Sequence, residues 1–152
     1  MKLTANKDKS LDDDYIDVKY RELTPAIQQI FQIAESDSFH LLAEKEEATH
    51  RVDVHDILYI EHVDNKCFLY TEEEVYHMGV TLSQLENSLK DWDFIRISKM
   101  ALVNTYKIKS ISSGLNYRLT AVMVNGEKVT ISRHYRGKLL DAIHALAKEI
   151  RK

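Results

Sequence analysis

The alternation of apolar and polar residues changes rhythm repeatedly along the chain, and each change marks an element. Ile16, Val18 and Tyr20 alternate with Tyr15, Asp17 and Lys19, a short strand pattern. Thr24-Pro25 then supplies an N-cap followed by proline at the first helical position, and Ile27, Ile30, Phe31 and Ala34 recur at helical spacing. From residue 39 to 78 the period falls back to two, in runs at 39–43, 51–54, 57–63, 66–71 and 75–78 separated by polar turn residues. Turns this short make antiparallel neighbours. Thr81 and Gln84 form a capping-box pattern ahead of Leu82, Leu85 and Leu89, which line one face of a short helix ending near Lys90. Strands follow at about 107–111 and 117–124, then the Asn125-Gly126 hairpin signal and a strand to Ile131. Ser132 is placed to cap a last helix in which Leu139, Ile143, Leu146 and Ile150 share a face. The expected fold is mostly β, with short antiparallel sheets and a few small helices in a domain over 38–152. A strand-helix segment over 1–37 precedes it, and residues 1–14 have little to bury.

The densest information lies at 94–104, Phe-Ile-Arg-Ile-Ser-Lys-Met-Ala-Leu-Val-Asn. Phe94, Ile95 and Ile97 anchor one strand end, and Ala101, Leu102 and Val103 return to the core before Asn104 ends the run. A stretch that enters the core on both sides holds its middle at a fixed place on the surface. That middle carries two cations and a hydroxyl, groups suited to phosphate contacts and base-edge hydrogen bonds.

The formal net charge of −3 argues against a nucleic-acid partner until its distribution is considered. Residues 1–50 hold 6 Lys/Arg against 11 Asp/Glu, residues 51–92 hold 3 against 9, and residues 93–152 hold 12 against 4, or −5, −6 and +8. Such a gradient is the pattern of a basic face on an otherwise acidic protein. It is equally the pattern of a solvated basic surface. One cysteine excludes an intramolecular disulfide framework and fits a reducing compartment, while no apolar run approaches a membrane span and the N-terminus is too polar for a secretory signal. The expected location is the cytoplasm.

Catalytic and metal chemistry find little support. The seven histidines include no His-x-x-x-His pair and no Cys-x-x-Cys accompanies them, so no metal is expected. There is no Gly-x-Ser-x-Gly elbow, no phosphate-cradling glycine loop and no paired-carboxylate pattern, so neither an enzyme nor a cofactor is expected. Cys67, alone on a strand, has the character of an inert, partly buried small residue.

Taken together, "FIRISKMALVN" at 94–104, "NGEKVTISRHYRGKL" at 125–139 and "DILYIEHVDNKCFLYT" at 56–71 resemble the LytTR-type DNA-binding domain, a bacterial transcription-factor module. The resemblance covers roughly 40–147. It implies short antiparallel sheets stacked in an elongated β fold, with base-reading contacts from three loops. By motif these fall on the Asn65-Lys66-Cys67 turn, on Lys99 and on Arg133, with Arg96, Ser98, His134, Tyr135 and Arg136 as backbone-contact candidates. This chain has Met100-Ala101 where family members usually carry a small polar residue, which puts a contact from that position in question. The implied function is a sequence-specific transcriptional regulator that binds duplex DNA at promoter sites, as a homodimer on paired repeats and with no small-molecule substrate. With no length for a receiver domain ahead of the binding domain, any regulation would come through a partner, the N-terminal segment or the level of synthesis, and the resemblance implies a small membrane-protein inhibitor.

Two other readings fit the residues. In one, the chain is a protein-interaction β module whose basic third is incidental surface. In the other it binds single strands or RNA, with Tyr59, Tyr70, Tyr117 and Tyr135 as stacking platforms, although strand tyrosines also serve as cross-strand pairs.

Overall fold

The computed structural model describes residues 1–12, 16–35, 39–114, 116 and 118–151, with the backbone alone for 32, 33, 35 and 146–151. The chain forms two compact units, Met1–Asp37 and Ser38–Lys152. Among the described residues no helix is long and apolar enough to cross a membrane.

In the first unit, α1 (Pro25–Glu35) begins where Thr24 and Pro25 place it. The Ile27 amide donates to Thr24 Oγ1 at 3.4 Å and the Gln28 amide to the Thr24 carbonyl at 3.0 Å. The strand expected at 15–20 does not form over its described part, 16–20; Tyr15 lies outside the described residues. Alternation alone makes no strand without a neighbour to accept its ladder hydrogen bonds, and the described residues of this unit supply none. Tyr20 instead sets its ring edge on Phe31, with centroids 5.8 Å apart.

In the second unit, β1 (His40–Lys45), β2 (Ala48–Asp53), β3 (Tyr59–Val63), β4 (Lys66–Tyr70), β5 (Val75–Met78), β6 (Phe94–Ser98) and β7 (Ala101–Asn104) form a seven-stranded sheet in the order β2-β1-β5-β4-β3-β7-β6. β8 (Ile108–Ser113), β9 (Leu119–Met123) and β10 (Lys128–Ile131) form a three-stranded sheet in the order β10-β9-β8. Every pairing is antiparallel, as the short turns require. The expected strand at 117–124 is shorter, and Tyr117 lies outside the described residues.

Strand alternation distributes side chains to two cores. Ile57, Ile60, Cys67, Leu69, Phe94 and Leu102 meet Leu82 and Leu85 of α2 (Leu82–Ser88) and Leu89 just after it on one side. Leu58, Tyr59, Ile97, Ala101 and Val103 meet Leu119, Ala121, Met123, Val129 and Ile131 of the smaller sheet, with Leu139, on the other. All four residues of β7 are buried because this strand runs between the two cores. Hence Ala101-Leu102-Val103 is a continuous apolar run rather than an alternating one. The capping box of α2 forms as its residues predict: Thr81 Oγ1 accepts from the Gln84 amide at 3.1 Å, and the Thr81 amide donates to Gln84 Oε1 at 2.9 Å.

The hairpin turns at Glu46-Glu47 (φ 51° and 63°) and Asp64-Asn65 (φ 50° and 63°) both place two residues in the left-handed region, the geometry whose twist matches the flanking strands. Aspartate and asparagine tolerate that region; glutamate does so at a steric cost. Replacing Glu46-Glu47 by Asn-Gly is expected to stabilise the fold by about 1 kcal/mol. A thermal melt checks it, and an unchanged or lower midpoint contradicts the strain argument.

At the C-terminal end Ser132 does not cap the last helix. A 3₁₀ turn at Arg133–Tyr135 intervenes and α3 (Arg136–Arg151) starts after it, with no capping bond from the Ser132 side chain. The Ser132 amide donates to the Ile97 carbonyl at 2.9 Å, so its backbone continues the sheet contact. Leu139 is fully buried and Ile143 packs at the edge of the same core. The side chains of Leu146 and Ile150 lie outside the described residues.

Candidate nucleic-acid interface

Strand direction gathers three loops at one end of the seven-stranded sheet. β3 and β6 each run antiparallel to β7, so the end of β3, the start of β7 and the end of β6 lie together. The His62 amide donates to the Met100 carbonyl at 2.8 Å and ties β3 to the turn at residues 98–100. The Ser132–Ile97 bond draws the segment after β10 to the same place. The Asp64-Asn65 tip, the Ser98-Lys99-Met100 turn and the 3₁₀ turn from Arg133 therefore share one edge.

Between the second and third of these loops lies an open groove of about 720 Å³ lined by Lys99, Arg118, Ser132, Arg133, His134 and Tyr135. Three of the six are cations and none is acidic, an arrangement that favours an anionic ligand. Lys99, Arg118, Arg133 and His134 are exposed. Ser98 is half-buried, and its Oγ accepts from the Met100 amide at 3.1 Å, which shapes the turn that presents Lys99. Arg133 Nε donates to the Asn116 carbonyl at 2.8 Å. His134 meets Tyr135 edge-on at 4.9 Å, and Tyr135 is half-buried.

Asn65 and Lys66 are exposed at the hairpin tip, but the turn itself is Asp64-Asn65, and Lys66 opens β4. Cys67 requires correction. Placed by motif in a reading loop, it faces the α2-side core at zero exposure, its Sγ 3.3 Å from the Val80 carbonyl. Period-two alternation from exposed Lys66 turns it inward, and burial pushes its thiol up from the ordinary value. Arg96, expected at a phosphate, has an internal set of partners: Nε pairs with Glu86, Nη1 donates to the Lys99 carbonyl at 3.1 Å and Nη2 to Ser83 Oγ at 3.4 Å. It thus braces the Lys99 turn against α2. Arg136 is half-buried at the start of α3.

Of the tyrosines considered as stacking platforms, Tyr59 and Tyr70 are engaged with each other, Tyr135 lines the groove and Tyr117 lies outside the described residues. Tyr59 is 9% exposed and stacks on Tyr70 at 4.4 Å. Burial, then a hydrogen bond with Glu127, raises the Tyr59 hydroxyl well above its usual value; burial, then the Glu61 charge, raises that of Tyr70. Among the described residues no group of three or more His, Cys, Asp and Glu side chains is placed to hold a metal.

Two groove residues are not among those the motifs name: Ser132, expected only as a helix cap, and Arg118. Arg118 falls inside the strand pattern at 117–124, and its sole signal is membership of the basic C-terminal third. The structure places it before β9, where the Gly114 amide donates to its carbonyl at 2.8 Å and closes the β8–β9 loop.

With this geometry in hand, comparison with known proteins is direct. A family model of the LytTr DNA-binding domain matches residues 47–144. The chain belongs to the LytTR DNA-binding domain family. The sensory transduction protein LytT of Bacillus subtilis is 30% identical over 126 residues, 83% of this chain and 52% of LytT. The transcriptional regulatory protein LytR of Staphylococcus aureus strain N315 is 25% identical over 127 residues, 84% of this chain and 48% of LytR. The chain thus spans about half the length of these relatives. A solved LytTr DNA-binding domain from Bacillus cereus superposes with a TM-score of 0.65 at 24% identity, covering 68% of this chain and 95% of that domain. The LytTR fold expected from the three motifs is therefore the fold observed. Membership also makes this a DNA-binding domain of a family of transcription regulators, and a DNA-binding family rather than an enzyme family.

Proposed function

We propose that the protein is a transcriptional regulator that binds duplex DNA sequence-specifically through the three loops gathered at the sheet end. The observation that carries this reading is the convergence of Lys99, Arg118 and Arg133 around one groove with no acidic lining residue. Arg133 and Lys99 are assigned to base edges, where guanine O6 and N7 accept from cations. Asn65 and Lys66 approach from the hairpin tip, and Ser98, His134, Tyr135 and Arg136 belong with the sugar-phosphate backbone. Paired occupancy by two copies is part of the same reading, since one small module reads few base pairs.

The test is selected-site binding from random duplexes, followed by titration at several salt concentrations with duplex and single-stranded forms. A consensus in duplex form is expected; the absence of any enriched site removes sequence specificity. Arg118, which lines the groove beside the base readers, is assigned to a phosphate. Arg118→Ala is expected to weaken binding evenly across sequences and to reduce the magnitude of the log–log salt slope by about 0.9. An unchanged slope removes Arg118 from phosphate contact. A loss confined to one base position would make it a base reader instead.

A further inference from the structure

The β8–β9 loop enters the proposed function only through Arg118, although it also makes the one described side-chain hydrogen bond of Arg133. Arg133 Nε donates to the Asn116 carbonyl at 2.8 Å. A guanidinium can fork onto guanine in two ways, side-on through Nε and one terminal nitrogen or end-on through both terminal nitrogens. With Nε held by a carbonyl, side-on approach is blocked. We propose that Asn116 is a positioning residue for sequence readout: its carbonyl takes Nε and leaves the Nη1/Nη2 edge of Arg133 to read the base end-on.

The carbonyl can do this because of the backbone conformation at Asn116. Its φ is 64°, in the left-handed region that glycine and asparagine occupy most readily and β-branched residues avoid. The Gly114–Arg118 backbone bond holds the ends of this loop together, which limits the directions open to the Asn116 carbonyl. Glycine at 116 keeps the observed direction, whereas valine opposes it. Asn116 is itself exposed, so the substitutions act on loop conformation and leave the cores untouched.

This inference rests on Arg133 being a base reader, and the experiment separates the two. Selected-site binding is run on the full chain as wild type, Arg133→Ala, Asn116→Val, Asn116→Ala, Asn116→Gly and the double variant Asn116→Val/Arg133→Ala, with a thermal melt for each. The expected result is that Arg133→Ala abolishes preference at one base pair. Asn116→Val should reduce preference at that same base pair by about tenfold with little change in affinity for a random duplex. Asn116→Ala should show an intermediate loss, Asn116→Gly should retain wild-type preference, and the double variant should match Arg133→Ala. In parallel, the Arg133 Nε–H resonance should be protected from solvent exchange in the wild type and in Asn116→Gly and unprotected in Asn116→Val. Should Asn116→Val fold poorly, Asn116→Ala carries the same comparison. If Arg133→Ala relaxes a position and neither Asn116→Val nor Asn116→Ala does, the positioning role is overturned while base reading by Arg133 stands. Equal losses in the Gly and Val variants overturn it as well, because the asparagine side chain would then be the agent. Arg133→Ala with wild-type preference everywhere removes both.

Discussion

Replacing Arg133 with alanine is expected to cost about 1–3 kcal/mol on the preferred duplex and to relax preference at one base pair. The melting temperature should stay close to that of wild type. Arg133 sits at the exposed start of the 3₁₀ turn, with its polar contact made to a loop carbonyl rather than to either core. Its loss therefore leaves no buried group unpaired, and surface changes of this kind shift stability little. On the DNA side an alanine restores neither hydrogen bond, so discrimination at that base should fall while backbone contacts persist. Lys99→Ala should relax a different position, since Lys99 reaches the groove from the β6–β7 turn. The measurement is selected-site binding beside a thermal melt. Unchanged preference at every position with Arg133→Ala would remove it from base reading.

The largest expected effect on stability belongs to Asn104, a buried polar residue 4% exposed at the end of β7. Its Nδ2 donates to the Ile57 carbonyl at 2.9 Å, its Oδ1 accepts from the Tyr106 amide at 3.1 Å, and its own amide donates to the Leu58 carbonyl at 2.9 Å. The first bond joins residues 47 positions apart and ties the approach to β3 to the end of β7. The second caps the 3₁₀ turn at Thr105–Lys107. Asn104→Leu removes both, leaving a carbonyl inside the protein without its donor and an amide without its cap. The expected loss is about 2–4 kcal/mol. Asn104→Asp keeps the acceptor for Tyr106 but sets a carboxylate against the Ile57 carbonyl, and should be comparably destabilising. Urea unfolding checks both variants: the midpoint should fall at nearly constant slope. DNA binding by the folded fraction should keep its wild-type preference, since Asn104 lies in the core. A loss under 0.5 kcal/mol would mean that water or a backbone shift replaces these bonds.

Much of this architecture is legible from residues within a few positions of one another. The period-two runs locate most strands of the second unit, with β5 at its expected bounds. The Thr81/Gln84 box starts α2, and the Asn125-Gly126 turn appears with Gly126 at φ 89°. The family is legible too, because its three motifs are local strings whose order and spacing survive in one dimension. Local alternation also misleads: residues 16–20 have the pattern of a strand and, among the described residues, no ladder to join.

Tertiary structure alone decides which loops meet and which polar groups are left for a ligand. Arg96 and Lys99 look alike in the motif, two cations three positions apart. Arg96 is nevertheless turned inward because Glu86 and Ser83 of α2 lie beside β6, a neighbour relation that packing sets. Cys67 and Lys66 are adjacent, yet the face each takes depends on where the seven-stranded sheet meets α2. Arg118 and Asn116 carry no motif, and they reach Arg133 because Leu119 pairs with Ile131 in the β9–β10 ladder, while the bond from Ser132 to Ile97, 35 positions earlier, brings the Lys99 turn to the same place. Propensity and capping act over one turn of chain, whereas a binding groove is made by backbone pairings between distant strands. The residues that compose the groove could therefore be named one loop at a time from sequence, and the β8–β9 loop that completes it could not.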